Sequence, residues 1–219
     1  GGGRRERRIS MAGILRETYA AQGRGFSPLS KSRREIRKIS RFFSAGNRTL
    51  CLKEDATEDS VRKIPLRDYQ IIHFACHGFL DDKIPARSAL VLSLTRDSGG
   101  EGFLQAREIA ALRLEAGLVV LSACDTGRGA LAKGEGILGL TRAFFQAGAR
   151  SVLSTLWKVG DTATAEFMRR FYGYLSQNND TAQALRLAKL SLLKTRFSAP
   201  FYWAAFVLNG HPSSTLDVR

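Results

Sequence analysis

Two residues in this sequence are of the types, and in the setting, needed for thiol–imidazole chemistry. Cys124 follows the apolar run Leu118-Val119-Val120-Leu121-Ser122-Ala123 and precedes Asp125-Thr126-Gly127. Earlier, Ile71-Ile72-His73-Phe74-Ala75-Cys76 runs into His77-Gly78. A thiol is a poor nucleophile until ionised, and a neighbouring imidazole both favours the thiolate and returns the proton to a leaving amine. The oxyanion of acyl transfer then needs fixed donors, usually backbone N–H groups. Gly78 leaves the backbone beside the histidine unobstructed, and the amide of Cys124 supplies a second donor. The small residues after Cys124 permit the tight turn that exposes a sulfur. On spacing alone, a buried structural cysteine at a strand end accounts for Cys124 equally well.

The elements that must position this pair can be read from hydrophobic periodicity. Tyr69 to Ala75, Ala89 to Leu94, Leu118 to Ala123, Ser151 to Thr155 and Phe206 to Leu208 read as strands, with Thr49 to Leu52 a short further candidate. The spacing of Ile36, Ile39, Phe42 and Phe43 predicts a helix from Ser32 to near Gly46. Further helices are expected over Asp59 to Ile64, Gln105 to Leu112, Ile137 to Phe145 with Gly148 as its cap, Thr162 to Leu175, and Thr181 to Leu193 with Asp180 at its N-cap. A weak helical stretch is read around Ile14 to Tyr19. Alternating strands and helices imply an α/β fold, an open, mostly parallel sheet with helices on both faces and right-handed crossovers. Sites in such sheets form beyond the carboxyl ends of the strands. His77 and Cys124 both fall just past such an end. If their strands are parallel neighbours, the two residues share one crevice.

Other patterns carry less. Alternation places His73 inside its strand, as a core histidine or one that supports a site, while Cys76 turns away from His77 and packs. His73, Cys76 and His77 together lack a fourth ligand at zinc spacing, so no metal is expected. Gly134 to Gly139 matches G-x-G-x-x-G with Asp161 downstream, but the dinucleotide fingerprint must follow directly on a strand, and here a loop intervenes. A phosphatase loop would need an arginine six positions after Cys124, where Ala130 stands.

Composition bounds the rest. The 219 residues fit one domain, and no run of 18 apolar residues is present to span a membrane. No signal peptide is read at the start. Three cysteines do not make a disulfide framework, which points to a reducing, cytoplasmic setting. Of the net charge of +14, a surplus of 10 lies in residues 1–50. The basic stretch Arg4-Arg5-Glu6-Arg7-Arg8 offers a surface for nucleic acid or an acidic partner, yet no aromatic residues interleave with it for base stacking, and a solvated end is the favoured interpretation.

The motifs, taken in order, resemble the CHAT domain, a caspase-like, separase-related peptidase domain often attached to tetratricopeptide repeats. They are Ser32-Arg33-Arg34-Glu35, Lys53-Glu54-Asp55-Ala56-Thr57, Ile72-His73-Phe74-Ala75-Cys76-His77-Gly78, Leu121-Ser122-Ala123-Cys124-Asp125-Thr126-Gly127, Gly134-Glu135-Gly136, Ala147-Gly148-Ala149-Arg150-Ser151-Val152, Leu156-Trp157 with Asp161, and Tyr202-Trp203-Ala204-Ala205-Phe206. The resemblance covers about residues 28 to 210. It implies a caspase-hemoglobinase-like fold and a cysteine endopeptidase without cofactor or metal. His77 is then base and acid, Cys124 the nucleophile, and Gly78 with Cys124 the oxyanion donors. It further implies substrate contacts from Asp161, Trp157 and Asp125. A carboxylate from Asp161 would favour a basic residue before the scissile bond; helix capping by Asp161 is equally good chemistry. Such domains are commonly switched on by a partner or attached sensor, and a catalytically silent CHAT domain serving as an interaction module is the alternative. The expected organisation is a basic leader over 1–25, the CHAT domain over 26–211 and a tail over 212–219. Residues 1–25 do not resemble the segment that family members carry upstream of the Ser32 helix.

Overall fold

In the computed structural model the described residues are 32–81, 83–93, 102–122, 135–212 and 216, with the backbone alone for 32–34. The strand that organises them is Leu118–Leu121, with all four side chains buried. Such a run, apolar on both faces, suits the interior of a parallel sheet. In chain order the strands are β1 (Ile71–Phe74), β2 (His77–Phe79), β3 (Ala89–Val91), β4 (Phe103–Gln105), β5 (Leu118–Leu121), β6 (Ser151–Thr155) and β7 (Phe206–Gly210). The helices are α1 (Ser32–Ile39), α2 (Glu58–Lys63), α3 (Ala106–Ala110), α4 (Glu135–Ala147), α5 (Asp161–Leu175), α6 (Thr181–Leu192) and α7 (Pro200–Trp203).

One sheet has the order β1-β5-β6-β7. β1 runs parallel to β5, from Ile71 opposite Leu118 to Phe74 opposite Leu121. β5 runs parallel to β6, and β7 closes the far edge antiparallel to β6. Alternation along β5 divides the core into two layers. Leu118 and Val120 meet α5 and α6 through Phe167, Phe171 and Ala188, and Ile39 of α1 joins them. Val119 and Leu121 meet α4 through Ile137, Leu140 and Phe144, joined by Ile109 of α3 and, at the margin, Val61 of α2. Each fully buried Leu or Phe contributes roughly 1.5–3 kcal/mol.

Several expected elements differ. The helix predicted from Ser32 to near Gly46 ends at Ile39 and continues as two 3₁₀ turns, Ser40–Phe42 and Ala45–Asn47. Phe42 and Phe43 fit the apolar stripe because they pack against the α5 layer from outside regular helix. Thr49 to Leu52 joins no ladder among the described residues, although the flanking Arg48 and Leu52 have strand dihedrals. A second sheet, antiparallel and ordered β2-β3-β4, was not read from the sequence. Its strands hold three residues each, too short to show a period. Asp180 caps α6 as expected, accepting from Gln183 N at 2.7 Å. The weak helical stretch around Ile14 to Tyr19 lies outside the described residues.

The glycines of the G-x-G-x-x-G pattern serve packing. A Cβ on Gly136 would sit 2.8 Å from Leu80 Cβ, and one on Gly139 would sit 2.8 Å from Pro85 Cβ and carbonyl. These two positions let α4 lie directly on the loop that follows β2; Gly134 is outside the described residues.

Candidate active site

Because Phe74 is paired with Leu121, the chain leaves β1 and β5 side by side at one end of the sheet. Ser122 N extends the ladder, donating to Phe74 O at 2.9 Å. Three residues past Phe74 stands His77, and three residues past Leu121 the sequence has Cys124. Cys124 and Asp125 lie outside the described residues. His77 falls just past the end of β1, as expected, and itself opens β2 opposite Val91, with the buried Gly78 opposite Leu90. The short second sheet thus fixes the backbone of the His-Gly pair.

The next parallel strand delivers two further candidates to the same end of the sheet. Trp157 follows β6; it is 38% exposed, donates Nε1–H to Phe201 O at 2.9 Å, and has its ring 6.5 Å from that of Phe201. Asp161 is exposed and is itself the first residue of α5, whose N-cap is Gly160, without a side-chain cap bond. The alternative in which Asp161 caps a helix starting at Thr162 is therefore corrected. Its carboxylate sits within the first turn, where the positive end of the helix dipole favours it.

Behind the paired strand ends lies a polar cluster that the sequence disclosed only in part. His73 points from β1 toward α1 and α5. Its Nδ1 is 2.9 Å from the Tyr172 hydroxyl, and its Nε2 is 3.3 Å from Glu35 Oε1. The second contact is electrostatic, since Nε2 has no partner in hydrogen-bond alignment. Glu35 is 4% exposed and accepts from Ser122 Oγ at 2.8 Å. A carboxyl beside Nε2 favours the tautomer with its proton there, so the Tyr172 O–H donates to Nδ1. Burial, and then the negative Glu35, push the Tyr172 phenol well above its ordinary range. His73 thus sits largely buried within its strand among polar partners, as the alternation suggested. Glu35 and Ser122 stood inside matched motifs with no role assigned to them, and nothing local marked Tyr172.

Cys76 is partly buried and packs at the margin of the α4 layer. Burial pushes its thiol up to about 12, a backbone hydrogen bond from Val91 opposing this in part. A thiol held that high is a poor nucleophile. Among the described residues no group of three or more His, Cys, Asp or Glu is placed to hold a metal ion. No described helix is long and apolar enough to cross a membrane.

A parallel sheet covered by helices on both faces, with a His-Gly pair and a Ser-Ala-Cys run following adjacent strands, defines a caspase-like α/β domain. A sequence model of the CHAT domain matches residues 10–211, and the chain belongs to that family. Tetratricopeptide repeat protein 28 of Mus musculus is 38% identical over 111 residues, and that of Homo sapiens 36% over the same length. The matches span 50% of this chain and 4% of the relatives' length.

Proposed function

We propose that this CHAT domain is a cysteine endopeptidase acting on protein substrates, with Cys124 as nucleophile and His77 as general base and then acid. The observation that carries this reading is the register of β1 and β5. With Phe74 opposite Leu121, the segments leading to His77 and Cys124 start as immediate neighbours at the carboxyl end of a parallel sheet, where such sheets build their sites. The thiolate attacks the scissile carbonyl, the N–H groups of Gly78 and Cys124 receive the oxyanion, and His77 protonates the leaving amine. Water then hydrolyses the acyl-enzyme with His77 acting as base. Asp161, with Trp157 beside it as a wall and Asp125 as a further carboxylate, selects a basic residue before the scissile bond. No metal or cofactor takes part.

Attached or partner tetratricopeptide repeats are proposed as the activating element, since the curated relatives are named for such repeats. The setting is cytoplasmic, and the domain is taken as residues 26–211. A catalytically silent CHAT domain that only mediates protein interactions is the competing function. Labelling with an Arg-directed, thiol-reactive peptide probe separates the two. Modification of Cys124 that is lost in His77→Ala is expected. No labelling when the tetratricopeptide repeats are also present, while a small thiol reagent still modifies Cys124, would overturn the peptidase assignment in favour of the interaction module.

A further inference from the structure

Charge is divided unequally between the two faces of the main sheet. On one face α2, α3 and α4 together hold four Lys or Arg and four Asp or Glu. On the other, α1, α5 and α6 hold eight Lys or Arg against three acidic residues. Two of those three are engaged inside the fold: Glu35 is buried beside His73 and Ser122, and Glu166 pairs with Arg169 and Arg170. The imbalance is sharpest from α6 onward. Between Thr181 and Leu216 the sequence has four Lys or Arg and no Asp or Glu. Asp180, the nearest carboxylate before them, caps the N-terminal end of α6.

α6 gives one side to the core, where Thr181, Ala184, Ala188 and Leu192 are buried. At the helical repeat, Arg186, Leu190 and Leu193 fall together on the opposite side, with Lys189 at its margin. Leu190 is 44% exposed and Leu193 45%, so the core does not need them. Leu193 keeps helical dihedrals past the end of α6, and Lys194 and Arg196 follow directly. The Arg196 guanidinium lies 4.8 Å from the centre of the Phe197 ring. Among the described residues none of Arg186, Lys189, Lys194 and Arg196 has an acidic partner. Burial holds the Lys189 ammonium below its ordinary value, and no described carboxylate offsets it. The exposed face is therefore a pair of leucines bordered by cations.

We infer that this face of α6 docks an acidic amphipathic helix of a partner protein. An apolar centre with a charged rim is how the energetic core of an interface is built. A helix laid along α6 can set apolar residues at i and i+3 or i+4 onto Leu190 and Leu193. Its Asp and Glu then flank them, against Arg186, Lys189 and Lys194. Anionic lipid or nucleic acid would meet the cations and leave the leucines without a role. Two leucines bury too little apolar area to hold a helix in a bilayer surface, and α6 has no aromatic side chain on which a base could stack. Exposed ion pairs add little affinity by themselves. The leucines thus supply the grip, while the cations choose the partner and its orientation. The inference does not depend on peptidase activity.

A display library of helical peptides, selected against the full chain, tests it. Enriched peptides are expected to carry a stripe of apolar residues flanked by Asp or Glu. Leu190→Ser/Leu193→Ser and Arg186→Glu/Lys194→Glu should each weaken the best peptide about tenfold or more. All four positions are exposed, so unchanged thermal unfolding of both variants is part of the expected result. Exchanging the acidic residues of that peptide for Lys should restore its binding to Arg186→Glu/Lys194→Glu and abolish it for the wild type. No enrichment, enriched peptides without acidic residues, or binding that survives both double substitutions would overturn the inference. So would phosphatidylserine vesicles or single-stranded DNA binding in a way lost in Arg186→Glu/Lys194→Glu but kept in Leu190→Ser/Leu193→Ser.

Discussion

Replacing Tyr172 by Phe isolates one hydrogen bond in the polar cluster behind the candidate site. The ring keeps its packing, edge-on to Phe43 at 5.9 Å and to Phe171 at 5.5 Å. Only the hydroxyl is lost, and with it the donor 2.9 Å from His73 Nδ1. The Nε2 of the same ring already has no aligned partner, so the variant leaves both ring nitrogens of a largely buried imidazole unsatisfied. A buried acceptor stripped of its donor costs about 1–3 kcal/mol, whereas removing both partners together is close to neutral. A loss near 2 kcal/mol is expected, a fall in Tm of about 4–8 °C for a domain of this size. The assay is thermal and urea unfolding of the wild type, Tyr172→Phe, His73→Leu and the double variant. The double-mutant cycle should return a coupling of about 1–2 kcal/mol. A Tyr172→Phe variant within about 0.5 kcal/mol of wild type, or a coupling below that, would show that the 2.9 Å contact does not hold His73.

Gly148 has φ +111°, and a Cβ there would collide with the Leu114 carbonyl oxygen; Gly148→Ala should cost about 2–3 kcal/mol by urea unfolding, the reverse of the usual gain from Gly→Ala at a compatible site. Glu58 is 4% exposed and its Oε1 accepts from Gly102 N at 2.5 Å and Phe103 N at 3.1 Å, while its ion-pair partner Arg62 is 45% exposed. Glu58→Ala should therefore cost about 2–4 kcal/mol and Arg62→Ala under about 1, a difference that chemical unfolding resolves. The Cys76 thiol is pushed up to about 12 from 9.0, so the folded chain keeps a proton that the unfolded chain gives up. This contribution is whole below pH 9.0 and is lost toward pH 12, at up to about 1.4 kcal/mol per pH unit. Cys76→Ala should flatten the alkaline limb of stability against pH, and native alkylation at pH 8 should spare Cys76 relative to Cys51.

The central strand of the parallel sheet was legible because Leu118 to Leu121 is an unbroken apolar run that needs burial on both faces, and only an inner strand provides it. Its neighbours Ile71 to Phe74 and Ser151 to Thr155 were legible as short runs rich in β-branched and apolar residues. The helices α4, α5 and α6 were legible through long stripes and through Asp180. What escaped was short or dependent on distant partners. His77–Phe79 and Phe103–Gln105 become strands only because β3 lies between them. Phe103 and Leu104 carry no strand period of their own, and Gln105 is both the end of β4 and the N-cap of α3. Of the candidate site, the order of His77 and Cys124 after adjacent strands came directly from the sequence, and the register of β1 on β5 supports it. Whether Trp157 and Asp161 meet a substrate depends on side-chain directions that local pattern does not encode.

His73 connects the cluster to the sheet edge. Its side chain reaches Tyr172 and Glu35 on the α1 and α5 side, while its main chain, by the alternation of a parallel strand, faces the outer side of β1. Glu35 in turn holds Ser122, the residue that leads from β5 toward Cys124. The position of His73 and the approach to Cys124 thus meet at one carboxyl group, because His73 and Ser122 approach the same Glu35 oxygen. A change that displaces the Glu35 carboxylate alters the path from β5 toward Cys124 without touching His77 or Cys124 directly.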